Sequence, residues 1–422
     1  MDPVPAGYKR TEVGVIPEEW EVQVLSSLVK AGPKNGYSGR SGKDARGTAT
    51  LTLGATTSGR LSLSDETVKR LEETIDSASD LFLQQGDVLV QRSNTLDLVG
   101  TTAVFDGPSD VYVYPDLMMR MRFRKEPTAH WFWRYANSVN GRRFFVAVAA
   151  GSSGTMPKIS GEKLRRMQLP VPPLPEQSAI AATLSHVDAL LDGLARLIAK
   201  KRDLKQAAMQ QLLTGKTRLP GFAEKHSLKA TVAGMIPEDW DLVKTGELAS
   251  ITTGARNTQD RVDDGKYPFF VRSATVERIN SYSFEGEAVL TAGDGVGTGK
   301  VFHYINGKFD LHQRVYRVCD FAPGLVGYYF FLHFSSRFYD RVMSMTAKSS
   351  VDSVRMEVIA EMWVPLPTKE EQRAISLVLR DMEGEITALE ARRDKTRALK
   401  RAMMQELLTG RTRLASSGGD CG

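Results

Sequence analysis

The sequence predicts an α+β protein in which two mixed α/β domains, related by a pseudo-twofold arrangement, are separated by an antiparallel coiled coil of two long helices. Several motifs of the 422-residue chain occur twice, once in each half. Apolar residues with helical spacing follow each domain, and short strand-like runs fill the segments before them. The repetition of a whole unit of strands and helix indicates an internal duplication.

The duplication is visible at the start of each half. Residues 14–20 (GVIPEEW) return as residues 234–240 (GMIPEDW), 220 positions later. Trp20 and Trp240 therefore recur with the repeated frame and not with the variable segments between its motifs. We interpret both indoles as core residues.

The hinge and the end of the helix repeat with a different offset. Residues 169–180 parallel 364–375, and residues 210–219 parallel 405–414, both 195 positions apart. Because 220 − 195 = 25, the variable segment of the first half is 25 residues longer than that of the second. A common scaffold with divergent inserts favours two different recognition tasks. Drift after duplication is the alternative, although drift alone would have blurred the helices as much as the inserts.

Each half ends in a long amphipathic helix. Apolar residues recur every three or four positions after Gln177 and after Gln372, which indicates helices of about 36 residues and about 54 Å. Prolines precede each helix and Thr-Gly follows it, as start and stop signals do. So narrow an apolar stripe requires a partner helix; the other repeat is the simplest partner, and a homodimer that uses the same residues is the alternative. The predicted helix-pair interface comprises Ile180, Leu184, Val187, Leu191, Leu194 and Ile198 with Ile375, Leu379, Met382, Ile386 and Leu389.

The segments before the helices have the pattern of mixed α/β domains. Runs rich in β-branched and aromatic residues alternate with Gly, Asn and Asp, which is typical of strands joined by turns. Further helices are predicted from Ala129 to Val148 and from Leu325 to Met345. The clearest strand-like runs are residues 87–91, 102–105, 111–114, 267–271, 288–291 and 314–318.

Five segments follow from these patterns. They are a first domain (1–157), a hinge with the first long helix (158–220), a second domain (221–350), a hinge with the second long helix (351–415) and a tail (416–422) that we expect to be disordered. The net charge of +6 lies in segment 158–220, with 11 basic and 5 acidic residues, whereas the two domains have 18 of each sign and 15 of each sign. Net charge is therefore weak support for nucleic-acid binding, because this surplus equally fits a solvated helix face.

Composition argues against a membrane or secreted protein. Hydrophobic residues make up 41% of the chain, but no run of about 18 apolar residues suggests a membrane span. No apolar segment of the secretory type follows the first basic residues. With only Cys319 and Cys421, a disulfide framework is implausible and the reducing cytoplasm is the expected location.

Several motifs, in the same order, resemble the specificity (S) subunit of type I restriction-modification enzymes. The resemblance extends along nearly the whole chain, which makes it specific. The motifs are GYKRTEVGVIPEEWEV (7–22), GDVLVQRSNTLDLVG (86–100), PVPPLPEQ (170–177), QQLLTGKTRL (210–219) and HQRVYRV (312–318).

The resemblance implies two target-recognition domains, each of which reads one half of a bipartite site in double-stranded DNA. The helix pair would set the nonspecific spacer and dock two modification subunits, which methylate adenine at N6 with S-adenosylmethionine. Restriction subunits, which are translocases with a nuclease and use ATP and Mg²⁺, would join the complex. The chain itself is then expected to be a noncatalytic subunit without a cofactor of its own.

Motifs for catalysis or metal binding are not found in the sequence. The glycine-rich stretch 292–300 fails as a phosphate-binding loop, because Asp294 stands where a Walker A loop needs Gly and Val301 where it needs Ser or Thr. The six histidines show no zinc-binding spacing. A turn between two strands is the simpler interpretation of the glycine-rich stretch, and no catalytic or metal-binding residue is predicted.

Candidate DNA-binding residues were chosen by chemistry. Arg pairs with guanine, Asn and Gln pair with adenine, and Lys and Ser contact phosphate. For His303 and His312 a packing or surface role is favoured over contact with a base. In the first domain the candidates are Arg92, Ser93, Asn94, Ser152, Ser153, Thr155 and Lys158. In the second domain they are Arg256, Asn257, Arg272, Ser273, Lys300, Gln313, Arg314, Lys348, Ser349 and Ser350.

Two other classes of function remain open at this point. A coiled-coil adaptor whose paired domains bind proteins would show the same repeat and the same helices. A free-standing methyltransferase or nuclease is the weaker alternative, because neither a cofactor loop nor a paired-carboxylate motif supports it.

Overall fold

The computed structural model describes residues 3–42, 45–150, 156–222, 227–345 and 353–414. The chain divides into two compact units. The first comprises Met1–Gly193 with Arg392–Gly422, and the second comprises Leu194–Ala391. Each long helix contributes one part to each unit. The two units therefore do not coincide with the five consecutive segments predicted from the sequence. The tail predicted at 416–422 lies outside the described residues.

The first unit has a mixed fold with two small sheets and two two-stranded ribbons. The larger sheet is antiparallel, with the strand order β4-β10-β7-β8, and the smaller one has the order β6-β5-β9. Its strands are β1 (Tyr8–Thr11), β2 (Gly14–Pro17), β3 (Glu21–Val24), β4 (Val29–Asn35), β5 (Ala49–Leu51), β6 (Val68–Arg70), β7 (Val88–Gln91), β8 (Thr102–Val104), β9 (Tyr112–Val113), β10 (Met118–Phe123) and β11 (Gln168–Val171). The helices that begin in this unit are α1 (Leu25–Leu28), α2 (Glu126–Ala136), α3 (Val139–Ala150), α4 (Gly161–Arg165) and α5 (Leu174–Leu212).

The second unit is built around one larger sheet. Its six strands have the order β15-β20-β18-β19-β16-β17, and only β16 and β19 are parallel neighbours. The strands are β12 (Leu228–Thr231), β13 (Gly234–Pro237), β14 (Asp241–Lys244), β15 (Ser250–Thr253), β16 (Tyr267–Phe270), β17 (Val276–Ile279), β18 (Phe284–Ala292), β19 (Phe302–Leu311), β20 (Val315–Cys319) and β21 (Trp363–Leu366). The helices are α6 (Thr245–Leu248), α7 (Gly327–Ser344), α8 (Met356–Ala360) and α9 (Lys369–Leu407).

The frame of the two units is repeated, whereas the inserts differ. Each unit begins with a hairpin, β1-β2 or β12-β13, and then pairs the next strand with the strand before its long helix, as β3 with β11 and β14 with β21. The central sheets differ in strand number and order. Trp20 and Trp240 are buried at 0% and 1% exposure, which confirms their prediction as core residues.

The two long helices pair in antiparallel fashion within the first unit. The beginning of α5 shares a hydrophobic core with the end of α9, where Ile180 and Leu407 are both buried. Farther along, the carboxylate of Asp188 pairs with Lys400 Nζ at 2.6 Å. Residue numbers rise along α5 while they fall along α9, which defines the antiparallel direction.

The second unit repeats this pairing with the helices exchanged. Ile375, near the start of α9, shares a core with Leu212 at the end of α5. Lys201 Nζ pairs with a carboxylate oxygen of Glu385 at 2.6 Å. The partner of each apolar stripe is therefore the other repeat of the same chain. Both helices have 39 residues, slightly more than the expected 36.

Most of the predicted interface stripe is buried. The fully buried positions are Ile180, Leu184, Leu194, Ile198, Ile375, Leu379 and Ile386. The half-buried positions are Val187, Leu191, Met382 and Leu389.

The single helix predicted from Ala129 to Val148 is wrong, since two helices, α2 and α3, lie there. The break falls at Asn137 and Ser138. The Asn137 side chain accepts a hydrogen bond from Thr102 N and donates one to Thr102 O, and Ser138 Oγ accepts one from Gly141 N. Short polar side chains of this kind compete with the helical backbone for hydrogen bonds. Tertiary contacts to β8 thus end α2.

Candidate nucleic-acid interface

Two predicted arginines of the second unit meet at one carboxylate. Arg272 follows β16, Asp294 follows β18 and Arg314 precedes β20. Arg272 Nη1 lies 3.2 Å from Asp294 Oδ1, and Arg314 Nε lies 3.6 Å from Asp294 Oδ2. The arginine side chains are 48% and 63% exposed, whereas that of Asp294 is 20% exposed. These three residues form what we call the Arg-Asp-Arg cluster, in which a largely covered carboxylate orients two accessible guanidinium groups.

A second group of predicted residues is joined by hydrogen bonds. Gln313 Nε2 donates to Asn257 Oδ1 at 2.7 Å, and the Gln313 amide donates to the Arg256 carbonyl at 2.8 Å. Arg256 Nε donates to the buried Asp310 carboxylate at 3.2 Å. Burial raises the pKa of Asp310, but hydrogen bonds from Ser281, Ser283, the Leu311 amide and Arg256 together lower it by more, so that the net pKa is below its usual value. A charged Asp310 therefore anchors Arg256.

His312 directly precedes Gln313 and Arg314, one residue from each group, and the charges of the Arg-Asp-Arg cluster act on its ring. Burial lowers the pKa of His312, and the positive charges of Arg272 and Arg314 lower it further. Its Nδ1 accepts a hydrogen bond from the Arg314 amide at 3.0 Å. With 5% exposure and this local hydrogen bond, His312 is packed within its own loop.

The glycine-rich loop between β18 and β19 is a turn, as its simpler interpretation proposed. Gly295 has φ +74°, and a Cβ on Gly297 would lie 2.2 Å from the carbonyl oxygen of Arg272. The loop is therefore tightly packed beneath its tip, where Val296 is 97% exposed. Lys300 Nζ lies 5.8 Å from the ring centroid of Tyr339. This loop presents an apolar tip and no cradle of the Walker type.

In the first unit, the predicted residues after β7 form an amide network. Asn94 Nδ2 donates to Gln91 Oε1 at 2.7 Å. The buried Gln91 in turn donates to Leu53 O and Thr56 Oγ1, both at 3.0 Å. Arg92 donates to the carbonyl of Asp116 at 3.4 Å. Here neutral groups, and not a carboxylate, orient the half-buried side chains of Arg92 and Asn94.

Ser93 departs from its predicted role. It is 1% exposed, and its hydroxyl donates to Pro157 O at 3.3 Å, because its backbone pairs with that of Lys158 in an isolated β-bridge. Lys158 itself is exposed. Ser93 therefore connects β7 to the segment before the hinge and does not offer its hydroxyl at the surface.

The two surfaces occupy equivalent places in the repeat. Ser93 bridges to Lys158 in the first unit, and Asp294 bridges to Ser353 in the second. Lys158 and Ser353 are 195 positions apart, which is the offset of the repeated hinge. The loop after the central strand is thus the same structural position in both units, with a different chemistry in each.

The remaining predicted residues belong to neither of the two groups described above. Ser273 Oγ donates to the Thr275 carbonyl at 3.2 Å, in the turn beside Arg272. The other six candidates lie outside the described residues; they are Ser152, Ser153, Thr155, Lys348, Ser349 and Ser350.

Three residues that matter to these surfaces were not chosen from the sequence. Asp294, Asp310 and Gln91 each orient a chosen residue. Recognition of bases and phosphates points to cationic, amide and hydroxyl side chains, so a residue that only orients them carries no such signature. No sequence signal marks Asp294, because its equivalence to Ser93 depends on the bridges from Ser93 to Lys158 and from Asp294 to Ser353, which only the structure shows.

The described residues include no helix long and apolar enough to cross a membrane. Within the same ranges, no group of three or more His, Cys, Asp or Glu side chains is placed to hold a metal ion.

Comparisons with known proteins define the class to which this fold and these surfaces belong. A family model described as the type I restriction modification DNA specificity domain matches residues 17–200 and 237–396. The putative type I restriction enzyme MjaX specificity subunit of Methanocaldococcus jannaschii is 22% identical over 96% of this chain and 97% of its own length. The EcoDI specificity subunit of Escherichia coli is 30% identical over 42% of this chain and 38% of its own length.

Solved structures show the same fold. The type I S subunit of M. genitalium superimposes with a TM-score of 0.60 and 14% identity, over 92% of this chain and 96% of its own. A chain from a study of assembly and conformational transition in a type I restriction-modification system has a TM-score of 0.55 and 16% identity, over 94% of this chain and 99% of its own.

The chain belongs to the type I restriction-modification DNA specificity family, since the family model covers most of both halves. It is a DNA specificity subunit of a type I restriction-modification system, and the adaptor alternative is not favoured.

Proposed function

We propose that each unit reads one half of a bipartite DNA site, and that the long helices set the nonspecific spacer between the halves. One observation carries this proposal. The loop after the central strand is equivalent in both units, yet it carries Asn94 with its amide network in one and Asp294, the centre of the Arg-Asp-Arg cluster, in the other. Two different sets of base-pairing groups on one repeated frame suit two different half-sites.

The chain is proposed to act as a noncatalytic partner in a larger complex. Two modification subunits dock on the helix pair and methylate adenine at N6 with S-adenosylmethionine, and restriction subunits that use ATP and Mg²⁺ join them. The paired helices support the docking role, because each presents a long polar face opposite the buried stripe. Two exposed apolar residues outside the stripe, Leu204 at 47% and Leu399 at 56% exposure, would add apolar contact area for a docked subunit.

The test is the pattern of methylation. The chain is expressed with its cognate modification subunit in a host without other adenine methylation, and N6-methyladenine is mapped across the genome. We expect a split motif of two specified halves with a fixed gap. Scattered methylation, or a continuous motif without a gap, would contradict the proposal.

The spacer is tested separately by a four-residue insertion before Leu212 in α5. The insertion adds about 6 Å of helix, which is between one and two base-pair steps of about 3.4 Å, and we expect the methylated gap to grow by at least one base pair. The matched control is the same insertion after Pro220, beyond the end of the helix, which should leave the gap unchanged. An unchanged gap with the helical insertion would exclude the helix as the spacer element.

A further inference from the structure

We propose that Arg272 and Arg314 read guanine in the half-site of the second unit, and that Asp294 is the positioning residue that orients both guanidinium groups. This inference rests on the proposed reading of one half-site by each unit. It adds the kind of base pair that the second unit selects and names an acid as part of its specificity.

In this cluster, the carboxylate of Asp294 restrains both guanidinium groups. Asp294 approaches Arg272 with one carboxylate oxygen and Arg314 with the other, at 3.2 and 3.6 Å. Its own backbone position is set by the bridge to Ser353, and the Gly293 carbonyl accepts a hydrogen bond from Val354 N at 2.7 Å. A guanidinium group held by a carboxylate keeps other N–H donors free, and two parallel N–H donors match the O6 and N7 acceptors of guanine.

The charge of Asp294 argues for base edges over phosphates. A phosphate-binding site gains from every positive charge and loses from a nearby carboxylate, because like charges repel. The carboxylate of Asp294 offsets one of the two positive charges of the cluster, so its net charge is only +1. A carboxylate at this position is explained if it orients arginines toward neutral, hydrogen-bonding groups, which are the base edges in the major groove.

The first unit offers an internal comparison. At the position equivalent to Asp294 it has the buried Ser93, and its half-buried Asn94 is held by the Gln91 amide at 2.7 Å. Asn is suited to adenine rather than guanine. Substitutions in the Arg-Asp-Arg cluster should therefore alter one half-site and leave the other half-site unchanged.

The experiment compares genomic methylation motifs of four complexes: wild type, Asp294→Asn, Arg272→Lys and Arg314→Lys. Lysine keeps the positive charge but lacks the paired donors, so phosphate binding is retained while bidentate reading is lost. We expect each lysine variant to lose discrimination by about 5- to 150-fold at a G·C pair. We expect Asp294→Asn to relax the same positions, because the amide no longer holds the guanidinium groups by charge.

The matched control is Glu285→Gln in the same sheet. Glu285 pairs with Lys308 at 3.6 Å on the β18-β19 ribbon, so this variant also loses an exposed ion pair but leaves the loop intact. Its motif should equal that of wild type. If Asp294→Asn proves too unstable to purify, the two lysine variants decide the guanine assignment, and Asp294→Ser, which places the first unit's residue there, tests the positioning role.

The outcomes separate this inference from the proposed function. A wild-type motif without two halves would contradict the half-site proposal itself. A split motif that both lysine variants leave unchanged at every G·C pair would overturn the guanine assignment and leave half-site reading intact. Relaxation by the lysine variants without any change in the Asp294 variants would overturn the positioning role. A general loss of methylation at all sites, with the motif unchanged, would indicate phosphate contacts instead.

Discussion

Arg218 donates two hydrogen bonds to Glu371, from Nε to Oε1 at 2.7 Å and from Nη2 to Oε2 at 2.6 Å. The indole of Trp240 donates to the same carboxylate at 3.1 Å. This contact joins the segment that follows α5 to the first turn of α9 and to the turn between β13 and β14, where Trp240 lies. Three motifs that occur in both halves of the sequence therefore contact one another at Glu371.

The first unit contains the same arrangement. Arg413 donates to Glu176 at 2.7 and 2.9 Å, and the Trp20 indole donates to Glu176 at 2.9 Å. The chain segment after α9 thus occupies, in the first unit, the place that the segment after α5 occupies in the second. The repeated Trp, Glu and Arg of the sequence motifs are explained by this one contact.

Replacement of Glu371 by Ala should destabilise the second unit. Glu371 is 1% exposed, and its removal leaves a mostly buried Arg218 paired with the more exposed carboxylate of Asp239. Removing one member of a buried pair costs about 3–5 kcal/mol, and we expect the lower end because Asp239 remains. Urea unfolding measures the change. Glu370→Ala, at the exposed neighbouring position, is the control, and an equal effect of both substitutions would refute the structural role.

His333 should make the second unit sensitive to acid. It is 5% exposed in α7, its Nε2 lies 3.1 Å from Trp363 O, and burial lowers its pKa to about 4. The unfolded chain binds the proton at a pKa of about 6.5, so the stabilisation is present above that pH and is lost as the pH falls toward 4. We expect a loss of about 2 kcal/mol between pH 7 and pH 5.

The measurement is the free energy of unfolding of wild type and His333→Gln at both pH values. The variant cannot titrate, so the difference in stability between pH 7 and pH 5 should shrink by that amount. His186→Gln, at an exposed position of α5, should retain the wild-type dependence. Equal pH dependence in all three proteins would show that another group causes the acid sensitivity.

Gly384→Ala should stabilise the protein. Gly384 lies inside α9 at an exposed position, and an added Cβ would meet no atom within 4 Å. Alanine in a helix interior is favoured over glycine by about 0.5–1 kcal/mol. Thermal or urea unfolding should show this gain. Gly410→Ala is the contrasting variant, because Gly410 has φ +71° and its Cβ would lie 2.5 Å from Pro17; it should destabilise.

The isolated chain should bind DNA weakly. Both domains have equal numbers of acidic and basic residues, and the surplus in the first long helix is partly paired, as Lys201 and Lys205 bind Glu385 and Glu383 of α9. We expect dissociation constants in the nonspecific range, about 10⁻⁴ to 10⁻⁶ M at physiological salt. Fluorescence anisotropy with and without the cognate modification subunit tests this. Nanomolar, sequence-specific binding by the chain alone would contradict it.

The elements that rest on local pattern were predictable from the sequence. The apolar stripe from Ile180 to Ile198 predicted a helix, and the repeated hinges predicted where both long helices begin. The strand-like runs at 87–91 and 288–291 lie in β7 and β18. The break at Asn137 was not predictable, because it depends on hydrogen bonds to Thr102 on a strand 35 positions away.

The sequence by itself determined the duplicated frame, the paired helices and the residue types available for reading bases. These follow from periodicity and from motifs that recur at constant offsets, which are properties of neighbouring positions. Only the tertiary structure decided that Arg272, Asp294 and Arg314 share one cluster while Ser93 is buried. The cluster depends on the pairing of β18 with β20 and of β16 with β19, and such non-local register leaves no local pattern in the chain.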